Sequence, residues 1–217
     1  MTTLDGHPRD VDVEPRRPSP AAGPARVLPW VLTVGGVLGL LAALDLSFER
    51  LRLALDPSYV PSCSINPLLD CGVVASSDQA SLLGDFPNTL IGVASFPVVV
   101  TLGVLMLLGV RLPTAVRLGL QVGVLLALVF VHWLISVSVF QLGTLGPWCM
   151  VVWAATVPIA WYVTLVNAAD GLLGGWAARS ALVRTLSLVH VVPLLLWYLA
   201  VVSLLGVVFA DQWASML

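Results

Sequence analysis

Long apolar runs dominate the chain and are separated by short polar interruptions. Five of them reach the roughly 20 residues that a helix needs to cross the hydrocarbon core of a bilayer. The runs lie at residues 27–48, 88–110, 114–142, 147–169 and 183–209. They are continuously apolar and do not alternate with polar residues, which favours helices over a barrel because a helix satisfies its own backbone in lipid. The pattern predicts an all-α membrane protein with five transmembrane helices.

Two polar stretches lie outside these runs. Residues 1–25 are rich in proline and charge and lack an apolar period, which indicates a disordered tail. Residues 49–87 form the one sizeable loop between runs. Within this loop we expect Ser76 or Ser77 to cap a short helix lying at the membrane surface. The chain therefore divides into the tail and one transmembrane domain at residues 26–217.

Composition and charge agree with this class and predict its orientation. Hydrophobic residues make up 59% of the chain and charged residues 10%, and the mean hydropathy is +0.98, all typical of an integral membrane protein. Every basic residue is arginine, and only Arg50 and Arg52 fall on the opposite side from the others. The positive-inside rule thus predicts a cytoplasmic N-terminus, an external C-terminus and an external loop at 49–87. The net charge of −2 gives no indication of a nucleic-acid partner.

The three cysteines are the first candidates for chemistry. Cys63 and Cys71 lie in the loop, and their spacing suits either a structural disulfide or a reversible redox pair. Cys149 follows Pro147 in the first turn of the fourth predicted helix, where the helix dipole favours a thiolate. The alternative is an ordinary buried cysteine of a membrane helix. These spacings match no zinc pattern, so we expect no metal site.

Other polar residues in the runs allow two readings each. His132 and His190 are either proton carriers or, as we favour, neutral side chains each bonded to a helix carbonyl. Asp45 and Glu49 stand one helical turn apart beside Arg50, and we expect a solvated, partly paired helix end.

Two segments together resemble a known family. "CSINPLLDCGVVASSDQASLLGDFPNTLIG", followed by a span and then by "GPWCMVVW", is similar to the bacterial vitamin K epoxide reductase family over roughly residues 27–170. The resemblance implies a membrane thiol oxidoreductase whose four-helix bundle surrounds a quinone, either menaquinone or ubiquinone, with a fifth span beside it. Some members carry a fused thioredoxin-like domain. Because this chain ends at Leu217, we expect its thioredoxin-like disulfide donor to be a separate protein.

The resemblance also implies roles for individual residues. Cys63 and Cys71 match the loop pair that accepts electrons from the partner and reduces a C-x-x-C disulfide. Cys149 matches the second cysteine of that motif, which faces the quinone. The enzyme would thereby support disulfide formation outside the cytoplasm, with its active site on the external or periplasmic side of the cell membrane.

Four further residues are candidates for quinone binding. Asn88 matches the asparagine that hydrogen-bonds a quinone oxygen, and Ser77 matches a serine six residues after the second loop cysteine. A donor at that oxygen stabilises the negative charge that develops during reduction. Trp148 and Trp153 flank the motif cysteine and are expected to line an aromatic pocket or an interfacial belt.

One position departs from the family pattern. Gly146 stands where family members have the first cysteine of C-x-x-C. We therefore expect impaired turnover, although direct exchange between Cys71 and Cys149 is an alternative. A second hypothesis is an inactive pseudoenzyme that binds quinone or partner without turnover. A small transporter is a third, less favoured because no repeated halves or paired intramembrane charges are present.

Overall fold

The computed structural model describes residues 22–56, 58–81, 87–210 and 212. Eight α-helices lie within this part of the chain: α1 (Ala22–Leu55), α2 (Cys71–Ser76), α3 (Asn88–Leu107), α4 (Thr114–Val137), α5 (Pro147–Ala169), α6 (Gly175–Arg179), α7 (Ala181–Leu188) and α8 (Val192–Val208). A 3-10 turn follows α2 at Asp78–Ala80, and a π turn extends α4 at Ser138–Leu142. The prediction of an all-α membrane protein is confirmed.

The helix boundaries follow the apolar runs closely, except at α1. Helices α3, α4 and α5 begin at 88, 114 and 147, where the runs predict them. Helix α1 begins at Ala22, and residues 1–21 of the predicted tail lie outside the described residues. It also continues to Leu55, past the predicted end at 48. The hydropathy falls there because the last turns carry charged side chains, which bind the following loop.

Four helices form the bundle. Helix α1 packs on both α3 and α5, and α4 packs on α5. Their apolar faces meet in a shared core, and each helix contributes buried side chains to it. These buried side chains include Leu28, Leu32, Phe96, Val124, Ile159 and Tyr162. The four-helix bundle is thus confirmed.

Helices α1 and α3 approach each other closely because glycines line their contact. A Cβ added to Gly39 of α1 would lie 2.3 Å from the Phe96 ring. On α3, a Cβ added to Gly103 would lie 2.8 Å from the backbone nitrogen of Thr33 and 2.6 Å from its hydroxyl oxygen. Small residues permit such contacts between membrane helices, where van der Waals packing drives association.

The fifth apolar run folds into two helices. The axes of α7 and α8 differ by 75°. Pro193, in the first turn of α8, has no N–H to donate to the carbonyl of residue 189, and its ring crowds that carbonyl, so that one continuous helix cannot form. Four helices are individually long and apolar enough to span a membrane, and a fifth crossing requires α7 and α8 to be counted as one broken span.

Helix α8 is attached to the bundle by hydrogen bonds rather than by a buried apolar face. The Tyr198 hydroxyl donates to the Ala154 carbonyl at 2.6 Å. In a regular helix that carbonyl would accept from residue 158, but Pro158 has no N–H. The tyrosine of α8 therefore satisfies a backbone group of α5 that lipid could not satisfy.

Both intramembrane histidines take part in similar attachments. The Nδ1 of His132 bonds to the Leu128 carbonyl at 2.8 Å, and its Nε2 accepts from Trp197 Nε1 of α8 at 3.0 Å. A carbonyl only accepts and an indole N–H only donates, so His132 is neutral with its proton on Nδ1. His190 Nδ1 pairs with the Tyr162 hydroxyl at 2.8 Å. The favoured reading of a histidine bonded to a helix carbonyl is confirmed for His132, whereas the ring of His190 bonds to a tyrosine hydroxyl.

The α1–α3 contact predicts a position-specific effect of glycine substitution. Gly103→Ala should lower the free energy of unfolding by about 1–3 kcal/mol, because a methyl group has no room beside Thr33. Gly123→Ala, in α4 with open space around its Cβ, should be neutral or stabilising by up to about 1 kcal/mol. Unfolding of the detergent-solubilised protein measures both, and equal effects would contradict the close contact.

The α8 attachment predicts coupling between a tyrosine and a proline. Tyr198→Phe should cost about 0.5–1.5 kcal/mol of stability, since it leaves the Ala154 carbonyl unpaired in an apolar setting. In a Pro158→Ala background the cost should be smaller, because the new N–H satisfies that carbonyl within α5. A double-mutant cycle on unfolding measures the coupling. The same cost in both backgrounds would argue against this role of Tyr198.

Candidate functional site

The three cysteines lie at one end of the bundle. This end comprises the last turns of α1 and α4, the first turns of α3 and α5, and the loop between α1 and α3. Cys63 and Cys71 form a disulfide with an S–S distance of 2.09 Å. Cys149 is the free cysteine. The sequence left the loop pairing open, and the structure bonds the two loop cysteines to each other.

The disulfide is buried and contacts the start of α5. Cys63 is 6% exposed and Cys71 only 1%. Together with Leu46 of α1 they form a small cluster, against which Trp148 and Cys149 pack. The free thiol thus lies next to the loop disulfide within one apolar environment.

A short backbone bridge holds the loop in this place. Leu69 and Leu145 pair as an isolated parallel bridge. The Leu145 N–H donates to the Leu68 carbonyl at 2.8 Å, and the Asp70 N–H donates to the Leu145 carbonyl at 3.1 Å. Gly143, with φ +63°, ends the π turn after α4 and directs the chain into this bridge. The bridge holds the loop two residues before Cys71 against the residue directly before Gly146.

Asp70 organises the loop around Cys71. It is the N-cap of α2, and its Oδ1 accepts from the Gly72 N–H at 2.7 Å and from the Ser64 hydroxyl at 2.5 Å. The short helix expected after Ser76 or Ser77 is a 3-10 turn at Asp78–Ala80 in the described part of this segment, and residues 82–86 lie outside the described residues. Helix α2, which Asp70 caps, was not predicted. An aspartate directly before a short apolar stretch was the available signal for this cap.

Two charged side chains in the last turns of α1 form hydrogen bonds to the loop, one before the disulfide and one after it. Glu49 is only 4% exposed, and its Oε1 accepts from the Ser62 hydroxyl at 2.7 Å. Arg50 donates to the Ala80 carbonyl at 2.9 Å. The expectation of a solvated, partly paired helix end is therefore wrong for Glu49. No signal in the sequence connects these residues to partners 13 and 30 positions away.

Position 146 retains the geometry of a disulfide partner for Cys149. A Cβ added to Gly146 would lie 3.5 Å from Cys149 Cβ and 3.0 Å from its Sγ. Bridged cysteines have Cβ atoms about 3.5–4.5 Å apart. The glycine has φ −84° and ψ 119°, a conformation open to any residue. The backbone at this position therefore accommodates a cysteine.

The other predicted site residues divide into two groups. Trp148 lies with the disulfide cluster, and Trp153 lies in a neighbouring cluster that Cys149 also contacts. Ser77 and Asn88 instead bond to the backbone of the loop: the serine hydroxyl donates to the Val74 carbonyl at 2.8 Å, and the asparagine amide donates to the Gln79 carbonyl at 2.7 Å. Their contact with a quinone stays a prediction.

The family model described as "Vitamin K epoxide reductase family" matches residues 30–164, more than half of the chain. The chain belongs to the vitamin K epoxide reductase family. No curated protein matches the sequence. As a member of this family, the protein is a membrane oxidoreductase of the thiol–disulfide, quinone-linked class.

One buried polar atom tests whether the site fits a quinone. Trp153 is 3% exposed, and its Nε1 is buried without a hydrogen-bond partner in the described part of the chain. An unpaired buried N–H is costly, so an acceptor at this point would be stabilising. A quinone offers carbonyl oxygens and a flat ring, and Trp153 lies one helical turn from Cys149 on α5. The residues at this site thus fit a quinone, and Trp153 is the side chain that would donate a hydrogen bond to its carbonyl oxygen.

The geometry at position 146 predicts a change in free thiols. When the original protein is unfolded without reductant, it should have one reactive thiol, that of Cys149. After reduction it should have three. Gly146→Cys should expose none without reductant, because both pairs are bridged, and four after reduction, one more than the three native cysteines.

Alkylation followed by mass spectrometry counts these thiols and identifies the bridged pairs. Gly119→Cys, in α4 with nothing near its Cβ, is the matched control and should keep two free thiols. Two free thiols in Gly146→Cys would contradict the proximity of position 146 to Cys149.

Proposed function

We propose that this protein oxidises a thioredoxin-like dithiol partner at Cys63–Cys71 and relays the electrons through a C-x-x-C site to membrane quinone, and that Gly146 interrupts the relay. The observation that carries the proposal is the backbone bridge between Leu69 and Leu145. It brings the loop disulfide to the first turn of α5, at the place where the family has its second disulfide.

The first step is thiol–disulfide exchange at the loop. A partner thiolate attacks one loop sulfur, and Cys63 is favoured because it is the more exposed of the two. The Cys63–Cys71 bond breaks, a mixed disulfide forms, and Cys71 leaves as a thiolate. The second partner thiol then resolves the mixed disulfide, so that the partner is oxidised by two electrons and the loop becomes a dithiol.

The second step requires a disulfide that Cys71 can reduce. In a complete C-x-x-C site, Cys71 would attack the sulfur at position 146, and the Cys149 thiolate would be released. With Gly146 the sulfur of Cys149 is already a thiol and accepts no electrons. The reduced loop therefore has no acceptor, and turnover stops after one partner has been oxidised.

The quinone would complete the sequence at Cys149. When bound, it supplies a two-electron oxidant, and menaquinone and ubiquinone both offer the required carbonyl oxygen. Trp153 orients that oxygen by donating its otherwise unpaired N–H. Cys149 is partly buried against the apolar cluster that contains Trp153, which limits the access of water to the reacting sulfur.

The distribution of arginine supports an external site. Five arginines of the described part lie at the end of the bundle away from the cysteines: Arg26, Arg111, Arg117, Arg179 and Arg184. Only Arg50 and Arg52 lie at the cysteine end. Under the positive-inside rule the cysteine end faces the outside or periplasm, where disulfides persist.

One contact favours a second candidate. Because Cys149 packs against the cluster of the loop disulfide, its thiolate could attack Cys71, breaking the Cys63–Cys71 bond, forming Cys71–Cys149 and releasing the Cys63 thiolate. This rearrangement transfers no net electrons, and the chain would act as a pseudoenzyme that binds quinone or captures dithiol partners at Cys63.

The proposal predicts gain of activity on restoring one sulfur. Gly146→Cys should reduce a quinone analogue continuously when supplied with a reduced thioredoxin-like protein, whereas the original chain should oxidise about one partner per molecule and stop. Quinone absorbance and partner thiol content measure the two half-reactions separately.

Gly119→Cys controls for an added thiol and should behave like the original chain. Equal turnover in the original and in Gly146→Cys would overturn the predicted block. A Cys71–Cys149 bridge in the untreated original chain would support the rearrangement instead.

A further inference from the structure

A second cavity lies at the end of the bundle opposite the cysteines. Helices α5, α6 and α7 border a half-open space of about 330 Å³, within the range of small-ligand sites. The proposed thiol chemistry does not use it. Its lining residues are Ala169, Ala178, Arg179, Val183, Arg184 and Ser187.

The cavity presents two uncompensated positive charges. The guanidinium groups of Arg179 and Arg184 form no salt bridge or hydrogen bond with the part of the chain that the structure describes. Asp170, the carboxylate next to the lining in sequence, is already bonded to Arg117 at 2.6 Å. The two guanidinium groups are therefore available to an anion.

The helices around the cavity have the features of a membrane interface. Helix α7 meets the apolar helix α8 at 75°, so it lies across the direction of the span. Leu182 and Leu188 on α7 and Trp176 on α6 are largely exposed, although they are apolar or aromatic. Such side chains beside arginines are typical of segments at the level of lipid headgroups.

We propose that this cavity binds the phosphate of an acidic phospholipid headgroup from the leaflet at that end of the bundle. Guanidinium groups match phosphate oxygens in bidentate geometry. Basic pockets between membrane helices bind acidic headgroups in this way. The acyl chains of the lipid would lie along the exposed apolar side chains of α7 and α8. The inference does not depend on the proposed thiol chemistry.

Native mass spectrometry of the full chain in detergent micelles tests the proposal with phosphatidylglycerol and phosphatidylcholine as probes. The original chain should retain one phosphatidylglycerol in preference to phosphatidylcholine. Arg179→Gln with Arg184→Gln should weaken that retention roughly 30-fold, because each arginine near an anionic headgroup contributes about 1 kcal/mol. Arg26→Gln with Arg111→Gln removes the same charge at the same end outside the cavity and should leave retention within about twofold.

A second variant tests the cavity without changing its charge. Ala178→Leu fills part of the space and should also weaken phosphatidylglycerol retention. Equal loss in the two arginine double variants, or unchanged retention in Ala178→Leu, would overturn the site. Competition by inorganic phosphate at concentrations equal to the lipid would overturn the assignment to a lipid, since it would show that the anion alone accounts for binding.

Discussion

The candidate site depends on the bridge between Leu69 and Leu145. Two backbone hydrogen bonds, each contributing about 1 kcal/mol, join the loop between α1 and α3 to the chain between α4 and α5. The Cys63–Cys71 disulfide closes that loop, the Asp70 cap orders α2, and Glu49 and Arg50 hold its two sides from α1. The bridge is reinforced by the Thr144 hydroxyl, which donates to the Leu68 carbonyl at 3.2 Å, and by Trp148 and Cys149, which pack against the disulfide cluster. Because thiol exchange requires sulfurs close together, these contacts between the loop and the start of α5 underlie the proposed chemistry.

The sequence predicts the parts of this structure that rest on local patterns. Continuous apolar runs located α3, α4 and α5 at their first residues, because lipid requires long helices and penalises unpaired backbone. The end of α1 and the break after α7 were missed. In both cases the residues concerned, charged side chains in α1 and Pro193 in α8, were visible in the sequence. The outcome also depended on distant partners: Ser62 and Ala80 for the end of α1, and the bundle side chains that hold α8. The cysteines were recognised as candidates from motif spacing, whereas the bridge that joins them has no signature in the sequence.

Proline and histidine in the spans show how polar groups are accommodated in an apolar medium. Pro158 removes a helical donor, and Tyr198 of another helix replaces it. His132 is satisfied at both nitrogens by a carbonyl and an indole. Each group finds its partner within protein, and the same bonds attach α8, which has little buried apolar surface. Trp153 differs from these, since its buried N–H has no partner in the described residues. Asp45 Oδ2, Glu49 Oε2 and Thr89 Oγ1 are also buried without a partner there. Trp153 is distinguished from them because it is a donor one helical turn from Cys149.

Gly146 has no conformational reason to be glycine. Its φ and ψ are ordinary, and the atoms nearest to an added Cβ belong to Cys149, the side chain that would bridge to it. Where glycine is structurally required, a close backbone neighbour or a positive φ is expected, as at Gly103 and Gly143. Neither applies here. The backbone at position 146 therefore accepts a cysteine without rearrangement of its surroundings. In the proposed relay, the loop disulfide, the bridge and the buried indole would serve a complete C-x-x-C site, and the difference at Gly146 would be the absence of one sulfur between the loop and Cys149.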